Sequence, residues 1–175
     1  SSGSIVVRTE NAGTKGVSGA LTFSSGTASF GSSGELLFGT GTASQGKGGA
    51  IELVVGNGNT GAGGRVTVTA GLTTASGASG GSIDVMSGIS TNVDDDSIGG
   101  YIRVATGAGV GGTGGMMSLF TGLGTETSSG SVVIRTSNAG TKGVSGALTF
   151  SSGTTSFASS GWVQIGTGTA CKGKG

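Results

Sequence analysis

The chain has no histidine, one cysteine among 175 residues, few aromatic side chains and very little charge. Without histidine, the Ser-His-Asp arrangement and the common zinc sites cannot be built, and the usual acid/base group near neutral pH is missing. A single cysteine, Cys171, rules out an intrachain disulfide and any cysteine-built metal site. It is read as a small corner residue or, alternatively, as a cross-link to a neighbouring chain. Nine basic and eight acidic residues give a net charge of +1. Nucleic-acid binding needs a basic stripe that releases counterions, and none exists outside the short KGKG end. No apolar run approaches the roughly twenty residues of a membrane-spanning helix.

The eight carboxylates, Glu10, Glu35, Glu52, Asp84, Asp94, Asp95, Asp96 and Glu126, are mostly scattered. No catalytic pair can be assembled from them, and the chain is not expected to be an enzyme or to carry a cofactor. The exception is the run Asp94, Asp95 and Asp96, three adjacent oxygen-rich side chains that are a candidate calcium site; a solvated bulge is the competing reading. The pattern G-x-G-x-x-G occurs from Gly56 to Gly61, from Gly107 to Gly112 and from Gly109 to Gly114, but with 42 glycines it arises by composition, and none of the three opens a helix.

What the sequence does contain is a repeat inside a repeat. Residues 1–48 return as 128–175 without a gap, a shift of 127, with about three-quarters of positions identical. Within that long period runs a short one of 15 to 19 residues. Gly3, Gly19, Gly34, Gly49, Gly64, Gly81, Gly100, Gly115, Gly130, Gly146 and Gly161 each open a segment with apolar residues two and four positions on, such as Leu21 and Phe23 or Ile102 and Val104.

Apolar residues at a period of two, with β-branched content, read as strands with one covered face. Glycine in every segment disfavours helix by about 1 kcal/mol relative to alanine. Fifteen residues at about 3.3 Å each give a perimeter near 50 Å, room for two short strands and two corners. The expected fold is therefore all-β: a β-solenoid, or flattened two-sheet β-helix, of about eleven coils with an eight-coil super-repeat. The aliphatic pairs would line one sheet, and Phe30, Leu72, Ile89, Leu123 and Phe157 would plug the thin core from the return sheet. Disorder is the alternative that so much glycine raises, and the strict apolar spacing weighs against it.

Residues 1–175 are expected to form one segment, 1–127 a full super-repeat and 128–175 the start of the next, belonging to something longer because neither end carries a capping coil. Apolar residues also occupy the positions one, three and five after the anchors. Leu37, Val54, Tyr101, Met116, Phe120 and Trp162 are the candidate assembly surface, with Tyr101 and Met116 in the same slot of successive coils. Asp84 and Arg103 share a slot in the same way and would pair across neighbouring coils.

The strings GGSIDVMSG (80–88), SGALTFSSGT (18–27) and GGRVTVTAG (63–71) resemble the Gly/Ser/Thr-rich tandem-repeat surface proteins of microalgae. That resemblance implies an extracellular structural role, with O-linked glycans as possible decoration; no Asn-x-Ser/Thr sequon is present. The expected function is a structural repeat protein that builds an extracellular filament or cell-surface appendage with itself as partner. The alternatives are an ice-binding solenoid, prompted by Thr-x-Thr pairs such as Thr40 and Thr42, and a stalk or passenger segment of an adhesin.

Overall fold

Glycine decides how this chain folds, and it does so by limiting what can be covered. Fixing one residue's backbone costs about 1–2 kcal/mol, and segments of Gly, Ser, Thr and Ala return little apolar burial against that cost. The computed structural model describes residues 2–92 and 97–170. Among them there is no helix and no β-strand, only extended coil punctuated by bends and turns. The expected β-solenoid, with its eleven coils and two-sheet β-helix core, is therefore not the fold.

Burial gives the physical reason. No described residue is buried, and the five side chains expected to plug the core are open to solvent, Phe30 and Phe157 completely so. The accessible surface is 17803 Å², whereas a folded monomer of 16.4 kDa exposes about 7,500 Å² and its unfolded chain about 24,000 Å². Few residues approach another that lies twelve or more positions away, so contacts between segments a full 15-residue period apart are sparse. The period of two was present in the apolar residues; the opposing sheet that would have covered them was not.

The chain divides into two compact units, Ser1–Asp84 and Val85–Gly175. Each is a series of loops closed by one recurring contact. In the first unit, Gly19 meets Thr9, Gly34 meets Ser25, Gly49 meets Thr40, Gly64 meets Val55 and Gly81 meets Ala70. In the second, Gly100 meets Ser87, Gly115 meets Thr106, Gly130 meets Thr121, Gly146 meets Thr136 and Gly161 meets Ser152. Every one of these pairs joins an anchor glycine to the residue six positions after the preceding anchor.

Closure depends on the missing side chain. A Cβ on Gly49 would stand 3.2 Å from Thr40 Cγ2, and one on Gly64 would stand 2.6 Å from Val55 Cγ1. Where the backbones come closest, an amide completes the contact: the Gly81 N–H donates to the Gly71 carbonyl, Gly100 to Gly88 and Gly115 to Gly107, each at 2.9 Å. At these three closures a single bond ties the loop without starting a ladder. The long segment from Gly81 to Gly100 keeps this register, so its added length falls between Gly88 and Gly100.

Two further details follow the sequence. The turn in which the Gly16 amide donates to the Gly13 carbonyl at 3.3 Å returns, 127 residues on, as Gly143 to Gly140 at the same distance. The long repeat thus reproduces local structure in both units. Among the described residues positive φ is confined to Gly61, Gly77 and Gly111, all inside closed loops, where a side chain would be strained.

Candidate assembly surface

Of the six half-buried residues among those described, three close loops; the others are Thr73, Ser97 and Gly124. Thr9, Ala70 and Thr121 are half-buried at their contacts with Gly19, Gly81 and Gly130, while nearly everything around them is exposed. Hydroxyls reinforce two of these points. Thr9 Oγ1 donates to the Gly19 carbonyl at 3.1 Å and Thr40 Oγ1 to the Gly49 carbonyl at 3.3 Å. Sequence reasoning passed over this slot, although Ser or Thr fills it in nine of eleven segments: Thr9, Ser25, Thr40, Ser87, Thr106, Thr121, Thr136, Ser152 and Thr167. The hydroxyls of Thr9 and Thr40 are spent on closure, which leaves them poorly placed for an ordered-water ladder.

The expected assembly residues are all at the surface. Leu37 and Val54 lie in the first unit, and Tyr101, Met116, Phe120 and Trp162 in the second, each more than two-thirds exposed. Tyr101, Met116 and Trp162 directly follow the closure glycines Gly100, Gly115 and Gly161. No ring contact joins them; among the described residues the one aromatic pair is Phe23 with Phe38.

The alternate slots behave differently. In the second unit the residues two after each anchor, Ile102, Met117, Val132, Leu148 and Val163, are all close to half exposed, between 48% and 59%. Residues one after the anchor, at Tyr101, Met116 and Trp162, stand at 77% to 87%. Neighbouring chain shelters the first set about halfway and the second set hardly at all. Both sets are apolar, and neither is covered.

Charge adds little. Asp84 accepts a hydrogen bond from the Ser82 hydroxyl at 3.3 Å. A depression lined by Arg135, Thr136, Ser137 and Asn138 sits at the Gly146 closure, and among the described residues no buried side-chain polar atom lacks a partner. Among the described residues no group of acidic, cysteine or histidine side chains is arranged to hold a metal ion, and no helix is long and apolar enough to cross a membrane. Asp94, Asp95 and Asp96, the candidate calcium site, and Cys171, the candidate cross-link, lie outside the described residues.

Comparison with protein-family models, with curated proteins and with solved structures gave no match.

Proposed function

We propose that this chain is a structural repeat protein, without catalytic activity, that builds an extracellular filament or cell-surface appendage by lateral association of its own copies. The observation that carries this reading is the uncovered apolar series. Segment after segment presents aliphatic and aromatic side chains at fixed intervals, and not one of them is buried among the described residues. Apolar surface on this scale marks an interaction surface, because water-exposed patches larger than a few hundred Å² are uncommon on monomers.

Self-association fits better than a specialised partner. The chain offers too little charge of either sign to select a charged ligand, and the 48-residue segment repeated at a spacing of 127 presents the same pattern twice. Exposed Ser and Thr hydroxyls leave room for O-linked glycans between the apolar positions, in keeping with a surface location. Electron microscopy of the purified chain over a concentration series tests the reading. Filaments that lengthen with concentration are the expected outcome; particles of constant small size at every concentration would remove it.

A further inference from the structure

We infer that Asn57 is a self-modification site, at which the chain's own backbone converts the asparagine into an aspartyl or isoaspartyl residue through a cyclic imide. The glycine pattern from Gly56 to Gly61, empty as a phosphate loop, sets this asparagine between two glycines. The reaction needs no partner chain and no cofactor.

The chemistry is an intramolecular acyl transfer. The Gly58 amide nitrogen, its proton lost to solvent hydroxide, attacks Cγ of Asn57. The new bond closes a five-membered ring, and the side-chain nitrogen leaves as ammonia after taking a proton from water. Water then opens the succinimide. Opening at Cγ restores the ordinary peptide and leaves an aspartate, whereas opening at the main-chain carbonyl carbon leaves an isoaspartate whose chain runs through Cβ and Cγ. Nothing is oxidised or reduced.

Three observations single out Asn57. The first is the residue that follows. Attack requires the next amide to turn back onto the side chain, and glycine, without a Cβ, permits that at least steric cost. Asn57 alone among the asparagines precedes glycine: Asn11 and Asn138 precede alanine, Asn59 threonine and Asn92 valine. The second is room. Asn57 and Gly58 are exposed and lie just ahead of the bend at residues 59–62, and a Cβ built on Gly56 or Gly58 would meet nothing within 4 Å. The third is that no bond has to be broken first. Among the described residues no hydrogen bond holds the Asn57 side chain or the Gly58 amide, whereas the side-chain oxygen of Asn59 accepts one from the Thr60 hydroxyl at 3.2 Å.

The consequence is confined to one loop. Residues 56–63 lie between Val55 and Gly64, whose contact closes this segment. Either product places a carboxylate there and takes the net charge from +1 to 0, since 9 basic residues would then be matched by 9 acidic ones in place of 8. The isoaspartyl form also lengthens the loop's backbone by a carbon. Gln45, which precedes Gly46, is an internal control, because its longer side chain would have to close a six-membered ring.

The test is peptide-mapping mass spectrometry of the full chain, sampled over weeks at neutral and mildly alkaline pH. A gain of about 1 Da, amide nitrogen exchanged for oxygen, is expected at Asn57 at a rate about tenfold or more above that at Asn11, Asn138 or Gln45, and the rate should climb with pH. Gly58→Ala, which has room for its methyl group, should slow the conversion by about tenfold or more, and Asn57→Gln should remove it. A synthetic peptide of residues 53–62 is the unfolded reference, and the chain should react within about threefold of it. Conversion at Asn57 no faster than at Asn11, conversion unchanged by Gly58→Ala, or a chain slower than the peptide by about tenfold or more would each overturn the inference.

Discussion

The rings of Phe23 and Phe38 meet edge to face, with 6.3 Å between centroids and 85° between planes. Each stands four positions after an anchor, Gly19 and Gly34, so equivalent residues of neighbouring segments touch in the first unit. Such a pair contributes about 0.5–1.5 kcal/mol beyond area burial. Its counterpart in the other long copy has Phe150 but Ile165, so one ring is missing there.

Phe38→Ala is therefore expected to reduce the population in which these two segments are close by about fivefold, the equivalent of roughly 1 kcal/mol. The check is the ring-current shift on the Phe23 protons, which should move to the value of Phe150. Ile165→Phe should create a matching shift at Phe150. An unchanged Phe23 spectrum in Phe38→Ala would mean that the rings do not meet in solution.

Closure makes a sharper demand on particular glycines. A Cβ on Gly109 would collide with the Thr113 carbonyl, and one on Gly124 with the Ser128 carbonyl, whereas Gly107 and Gly122 have open space around them. Gly109→Ala should consequently break the bond from the Gly115 amide to the Gly107 carbonyl, a loss of about 1 kcal/mol, and Gly107→Ala should preserve it. Hydrogen exchange at the Gly115 amide separates the two. Equal exchange rates in both variants would show that the loop from Gly107 to Gly115 is not held as described.

The short period was legible in the sequence and marks real structure: every anchor glycine after Gly3 is a contact point within its unit. The partner of each anchor was not legible as such. Apolar pairs at Leu21 and Phe23 or Ile102 and Val104 drew attention to a buried face, while the hydroxyl slot at Thr9, Thr40 and Thr121, nearly as regular, carries the closure. A period of two states which residues lie on one side; it does not state that anything lies opposite. Phe30 and Phe157 illustrate the gap, since nothing in their local sequence distinguishes a core plug from a fully exposed ring. The supply of covering surface is a property of the whole chain, and small residues do not furnish it here.

Thr40 separates the two contributions of the closure slot. Its hydroxyl donates to the Gly49 carbonyl at 3.3 Å, and its methyl group lies against the glycine. Thr40→Val keeps the methyl and removes the bond, which should weaken the closure by about 0.5–1.5 kcal/mol; Thr40→Ser keeps the bond and should cost less. Proteolysis of the loop between the two residues measures the difference, with cleavage expected fastest in Thr40→Val. Faster cleavage of Thr40→Ser would transfer the main role to the methyl group.

The balance of forces in assembly can be tested through the solvent. Nine basic and eight acidic residues spread over 175 positions leave little for salt to screen, whereas the apolar slots respond to anything that alters the cost of exposing them. Sulfate should strengthen association and urea should weaken it, while sodium chloride at moderate concentration should leave the sedimentation profile nearly unchanged. The sign of the chloride response is decisive. A chain held to its copies by Lys15, Arg65 or Arg103 meeting acidic side chains would dissociate as screening rises, and one held by its aliphatic slots would not, so dissociation in chloride alone would assign the contact to charge.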